Sequence, residues 1–322
     1  MKIQNLNLKM KNNNLKLKII FLIIITFLLN SLTWTENCLA TQYFYFDAEN
    51  GVVGEYLPNP PFCQTECSGI GEKGTYQSGD GTPQGLKYFQ WRTIDNQNSA
   101  YTEVSSPNFP LTNILGKTYY LALFFNFSRI NGRDIWHECN CQSMDKALDI
   151  IGSGVRWTLS FGQWEAAATP QNQDHYFTAW IQNPTYHLNP SIEKVDAYPQ
   201  NQSGYSTINT IQLRYEQWYS AVVALEMAAD NAGSVTLYIN GVKILEYKNI
   251  KTCANSDSTI THFIMNGTIA QAYYDAPAHL RKFDALILTD NWQDIVDGGY
   301  LQDPNISSDT TPPAAPRNLT IL

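Results

Sequence analysis

No apolar run in this chain is long enough to cross a membrane as a helix, which takes about 20 residues. The run Ile19–Leu29 stops at Asn30. No Gly-x-Ser-x-Gly elbow, His-Glu-x-x-His pair or phosphate-binding loop occurs, which removes the sequence signs of serine hydrolases, zinc peptidases and P-loop nucleotide hydrolases. No Cys-x-x-Cys pair exists, so neither a zinc ribbon nor a haem attachment site is encoded. No Glu-x-Asp-x-x-Glu strand is present, and glucanases of the retaining type need such paired carboxylates. Basic residues are scarce too: 21 Lys and Arg stand against 29 Asp and Glu. An acidic chain is a poor partner for nucleic acid or an anionic membrane surface.

What is present begins with an export signal. Residues 1–18 hold five lysines (Lys2, Lys9, Lys11, Lys16, Lys18) and no acid. The short apolar run comes next, then small residues ending at Ala40, the expected cleavage point. Cys38 would suit lipid attachment, but Thr35, Glu36 and Asn37 do not form a lipidation signal. Residues 1–40 are therefore expected to be removed, leaving a secreted or surface protein with no membrane insertion. Without the leader, 16 basic and 28 acidic residues remain. Five cysteines also remain: Cys63, Cys67, Cys139, Cys141 and Cys253. An oxidising compartment permits disulfides. Cys63 and Cys67 can close a small ring, Cys139 or Cys141 can reach Cys253, and the odd count leaves one thiol over.

The body, 41–303, is rich in Tyr, Phe, Trp, Val, Ile and Thr and poor in helical periodicity. Alternating runs predict strands at 43–48, 119–129, 155–161, 175–182, 208–215, 218–227 and 283–288. Val235–Tyr247 predicts a β-hairpin, because Asn240-Gly241 supplies the two positive-φ residues of a type I′ turn. One short helix is expected at 142–151, and its Asp145 and Asp149 are expected to be surface charges. Ser307–Leu322 reads as a Pro-rich linker, extended rather than packed, and 304–322 as a whole reads as that linker with the start of a further domain. Many strands without a βαβ rhythm predict an all-β, two-sheet antiparallel sandwich.

Residues 216–219 (Glu-Gln-Trp-Tyr), Val222–Leu225 and the run from Gly233 to Val242 resemble the late strands of concanavalin A-like jelly rolls, a superfamily of lectin domains, glucanases and polysaccharide lyases. Phe46-Asp-Ala-Glu-Asn-Gly and Phe283-Asp-Ala-Leu-Ile-Leu fit the same likeness. The resemblance implies a jelly roll whose first and last strands lie side by side. It implies a structural calcium ion near Asp47, Glu49 and Asp284, hard oxygen ligands of the kind Ca2+ takes. The final residues, after Pro312-Pro313, resemble the opening of a fibronectin type III domain, which implies a longer extracellular protein.

In such folds a concave sheet holds sugars. A pyranose stacks its C–H face on an aromatic ring and needs planar polar partners for its hydroxyls. Three alternating runs place aromatic and polar residues together: Tyr88, Gln90 and Arg92; Tyr101 and Glu103; Tyr176, Thr178, Trp180 and Gln182. They read equally as a wet concave face or as the solvent face of an outer sheet. The carbohydrate-binding candidates are Tyr88, Arg92, Tyr101, Glu103, Tyr176 and Trp180. A lyase acting on a uronic acid polymer needs a carboxylate neutraliser, a base for the C5 proton and an acid for the leaving oxygen. His137, Tyr101, Arg92 and Gln90 are the candidates. The Arg-x-Glu-x-Arg, Gln-x-His and Tyr-x-Lys-x-Gly sets of some jelly-roll alginate lyases do not occur; 100–104 matches the first only in part. The expectation is therefore a carbohydrate-binding module of a larger secreted protein. A polysaccharide lyase and a protein-binding adhesion module are the alternatives.

Overall fold

The structure is a computed structural model. It describes residues 41–55, 63–67, 74–79, 82–92, 101–106, 108–129, 144–162, 176–182, 205–207, 213–270 and 279–304. All elements below lie in the unit Gln42–Leu322.

Sixteen strands are described. In chain order they are β1 (Gln42–Phe46), β2 (Cys63–Cys67), β3 (Thr75–Ser78), β4 (Lys87–Arg92), β5 (Tyr101–Ser105), β6 (Thr118–Arg129), β7 (Met144–Gly152) and β8 (Val155–Gly162). Then come β9 (Tyr176–Gln182), β10 (Tyr205–Thr207), β11 (Leu213–Arg214), β12 (Tyr219–Glu226), β13 (Gly233–Ile239), β14 (Val242–Ile250), β15 (His262–Ala270) and β16 (His279–Thr289). A 3-10 turn, Ala48–Asn50, succeeds β1, and helix α1 (Trp292–Asp297) succeeds β16. The strands form two antiparallel sheets. One has nine strands in the order β10-β14-β13-β12-β6-β16-β4-β3, with β1 also paired to β16. The other has seven, β11-β9-β8-β7-β15-β5-β2. This is the two-sheet jelly-roll sandwich that the sequence implies, and β1 does lie beside β16, Phe46 opposite Leu286.

The alternation that builds the strands also builds the core. On the nine-stranded sheet Leu121, Leu123, Phe125 and Phe127 turn inward; on the seven-stranded sheet Leu148, Ile150, Trp157, Leu159 and Phe161 do. Phe125 and Phe161 meet across the sandwich with ring centroids 4.5 Å apart. Trp157 is 1% exposed, and its indole N–H donates to the carbonyl of Thr252 at 3.0 Å, so its burial leaves no donor unmet.

The hairpin forms as expected. Asn240 and Gly241 have φ of 48° and 73°, and Val242 pairs with Ile239. Gly241 is also needed for space, since a Cβ there would stand 2.0 Å from the carbonyl oxygen of Leu301. The helix expected at 142–151 is instead strand β7. Its period is two: Leu148 and Ile150 enter the core, while Asp149 between them faces the other way. Asp149 is no surface charge but 1% exposed. Two cysteine expectations change as well. Cys63 and Cys67 occupy the two ends of one extended strand, about 13 Å apart at 3.3 Å per residue, too far for a ring. Cys253 is a buried free thiol. The run Asp290–Asp297 serves α1: Asn291 caps it by accepting from Gln293 N–H, and Asp294 accepts from Thr289 and Asn291 side chains.

Among the described residues no helix is long and apolar enough to cross a membrane. The leader 1–40, the cysteines Cys139 and Cys141, and the segment 305–322 lie outside the described residues.

Candidate functional site

Each sheet has one face in the core and one turned away from it, and these two outer faces differ in chemistry. On the nine-stranded sheet the outer face is itself apolar: Ala122, Phe124, Trp218, Val222, Ala285 and Ile287 form a second buried cluster with Ile295 and Tyr300 from α1 and the residues after it. Phe124 and Tyr300 stack at 4.8 Å. Partly buried Tyr120 and Tyr238 pack on Trp292 at 5.1 and 5.6 Å. This face is spent on holding α1.

The outer face of the seven-stranded sheet is polar. Its register gives rows of residues that alternate with the core rows. In one row Ser105, Ile264, Asp149, Thr158 and Gln182 align across five strands. In another, Thr268, Lys146, Ser160 and Trp180 align across four. Asn266 pairs with Glu103, and Glu103 with Thr65. Asp149 accepts from the Arg156 guanidinium at 2.8 Å and from the Thr158 hydroxyl, which satisfies a carboxylate that burial would otherwise penalise. Arg156 Nε and Ser160 Oγ are buried there without a hydrogen-bond partner among the described residues. His262, paired with Ile151 on the same side, is half-buried; burial lowers its pKa, so the ring stays neutral at neutral pH.

These rows sort the residues singled out from the sequence. Tyr101 and Glu103 lie on β5, and Thr178, Trp180 and Gln182 on β9, both strands of the seven-stranded sheet. Tyr176 lies on the same strand as Trp180 and pairs with Arg214. The backbones at Glu103 and Trp180 are separated by four strand spacings, about 19 Å at 4.8 Å each. Tyr88, Gln90 and Arg92 do not join them. They lie on β4, in the nine-stranded sheet, and Phe89 between them is the core residue. Tyr88 packs on Trp218 at 5.9 Å and under the Lys282 ammonium at 5.4 Å. Gln90 and Arg92 therefore cannot share a reacting sugar with Tyr101. The sequence shows alternation within a strand but not which sheet the strand enters. His137 lies outside the described residues. Lys146, Arg156, Ser160, His262 and Asn266 were missed. Lys146 was hidden by the helical reading of 142–151, and the others sit on strands whose partners the sequence does not reveal.

The expected calcium ligands were tested against their surroundings. Asp47 Oδ1 caps the 3-10 turn, accepting from Glu49 N–H at 2.9 Å. Glu49 Oε1 accepts from the amides of Leu86, at 2.6 Å, and Lys87. Asp284 Oδ2 accepts from Gln84 N–H at 3.3 Å, and its Oδ1 has no hydrogen-bond partner among the described residues. Burial, and next the nearby Asp47, raise the Asp284 carboxyl well above the usual range. Among the described residues no three His, Cys, Asp or Glu side chains are grouped to hold a metal. Asp47, Glu49 and Asp284 do not fit a shared calcium ion.

A polysaccharide lyase family model matches residues 154–267, about a third of the chain. The matched segment begins at Gly154 and carries β8 through β14 and most of β15. No curated protein matches the chain. Solved structures similar to it include an alginate lyase variant in complex with alginate trisaccharide, with 15% identity, TM-score 0.49, and coverage of 77% of this chain and 97% of that one. Another is an endo-β-1,4-glucuronan lyase from the fungus Trichoderma reesei, with 14% identity, TM-score 0.42, and coverage of 83% and 100%. A third is a marine alginate lyase from Aplysia kurodai, with 8% identity, TM-score 0.43, and coverage of 77% and 99%.

Proposed function

We propose that the protein is an exported polysaccharide lyase acting on a uronic-acid-containing glycan, and that the polymer lies along the polar face of the seven-stranded sheet. The observation that carries this reading is the polysaccharide lyase match over 154–267, because that segment supplies Ser160 and His262 to the polar face and contains Trp180 and Asn266 on β9 and β15 of the same sheet.

The reaction is a β-elimination. A base takes the proton from C5 of a uronate; its electron pair forms the C4=C5 double bond; the C4–O bond breaks, and an acid protonates the departing oxygen. The ring carboxylate must be neutralised for C5 to lose its proton, and a preorganised cation or amide does this in a site shielded from water. Lys146, on the central strand of the sheet, and Asn266, on the next strand, are proposed as neutralisers. Tyr101 is proposed as the acid and His137 as the base. Trp180 stacks a sugar further along, and Tyr176 and Glu103 contact neighbouring rings. These roles replace the sequence-based set that included Gln90 and Arg92.

The test is ultraviolet absorbance of the unsaturated uronate after incubation with alginate, glucuronan and heparin. Product from one of them supports a lyase. Binding to these polymers without any product restores the binding-module reading, and neither binding nor product favours an adhesion module.

A further inference from the structure

The calcium ion implied by the fold family does not fit its expected ligands, and the reason points to what holds the joint between the first strand and the rest of the sheet. We infer that the Lys87 ammonium takes the place of a structural cation there.

The chain leaves β1 through the Ala48–Asn50 turn and exposes main-chain carbonyls of Glu49 and Gly51 toward β4. Such carbonyls need a donor or a cation. Lys87 Nζ donates to both, at 2.8 Å each. An ammonium is a compact point charge with three donors on a flexible stem, so two carbonyls 2.8 Å away satisfy most of what it offers. A metal ion drawn to the same carbonyls would have to displace it. Glu49 Oε1 is a poor ligand for that metal, because both the Leu86 and Lys87 amides point their N–H groups at it. Amide hydrogens carry partial positive charge and repel a cation from that oxygen. The loop geometry is set up for this arrangement. Gly85 has φ of 73°, and a Cβ on it would stand 2.4 Å from Glu49 Oε1. Only glycine lets the loop bring those amides onto the carboxylate. One residue, Lys87, therefore clamps the turn twice: its amide binds the Glu49 side chain and its ammonium binds the Glu49 and Gly51 backbone.

The test is thermal unfolding of the full mature protein with EDTA and with added calcium, joined to metal analysis of the purified protein. The expected result is no bound calcium and melting temperatures within about 1 °C of each other. A stoichiometric calcium ion, or a fall of several degrees on chelation, overturns the inference. Lys87→Met is expected to lower the melting temperature by about 5 °C, since it removes two charge-assisted hydrogen bonds. Melting unchanged from the parent would also overturn it. If Lys87→Met does not fold, Lys87→Arg serves in its place. Its planar fork cannot point at both carbonyls from the same stem, and an intermediate drop is expected, with no drop counting against the ammonium.

Discussion

The two outer faces of this sandwich were built from the same alternation and ended with opposite properties. The nine-stranded sheet turns Ala122, Phe124, Val222 and Ile287 outward and covers them with Ile295 and Tyr300. The seven-stranded sheet turns Asp149, Thr158 and Ser160 outward and keeps them buried all the same, at 1%, 0% and 0% exposure. A buried apolar face supplies stability. A buried polar face costs desolvation unless its groups are hydrogen-bonded, as Asp149 is by Arg156 and Thr158. The apolar face is spent on holding α1, and the polar face is the one the proposed function uses.

Four experiments sharpen or break that assignment. The largest effect is expected from Tyr101→Phe, which should cut turnover by about 100-fold or more, the usual worth of a positioned proton donor, while the melting temperature stays near the parent's. A full-speed variant would remove Tyr101 from the reaction. On the other face, Val222→Asp places an uncompensated charge in the cluster under α1 and should cost about 4 kcal/mol or more, measured by chemical denaturation. A tolerated aspartate there would mean that α1 is not packed down. Arg156→Met leaves Asp149 buried with Thr158 as its remaining partner among the described residues. Because Arg156 keeps some solvent contact, at 17% side-chain exposure, the loss should be about 2 kcal/mol rather than the full cost of a buried pair.

The smallest effect concerns pH. His262 has a lowered pKa in the folded state because of burial, so the unfolded chain binds the proton more readily. Stability from this group is present above the unfolded value, about 6.5, and is lost as pH falls below it toward the folded value. His262→Gln should flatten the melting temperature between pH 7 and pH 5 by a degree or two. A slope identical to the parent's would show that His262 is solvated on the sheet.

Much of the fold was legible because strands need only a period of two and a turn. Asn240-Gly241 marked its hairpin to the residue. β7 was misread because Asp145 and Asp149 lie four apart, the spacing of one helical face, although Leu148 and Ile150 carried the strand period beside them. The site was legible only in halves. Tyr101, Glu103 and Trp180, singled out as aromatic and polar residues of alternating runs, fall on strands of the seven-stranded sheet. Tyr88, Gln90 and Arg92 show the same pattern, yet their strand pairs with β16 rather than with β15. Alternation reports which residues go together, while pairing partners decide where they go, and β4 and β16 lie far apart in the chain. The calcium expectation shows a related limit: the side chains near Asp47 are as the sequence says, but Glu49 Oε1 is claimed by amides from a loop that is distant in sequence.

The pairing of β1 with β16 has a consequence for timing. Phe46 meets Leu286, so the strand nearest the start of the body waits for almost the last strand to be made before it finds its place. Closing so long a loop is entropically slow, and sheets dominated by distant pairings fold late. Until β16 arrives, β1 is a bare edge of Tyr43, Phe44, Tyr45 and Phe46, aromatic enough to join another chain instead. A sandwich in which β1 and β16 are partners in this way is assembled only after nearly the whole body is present in one place.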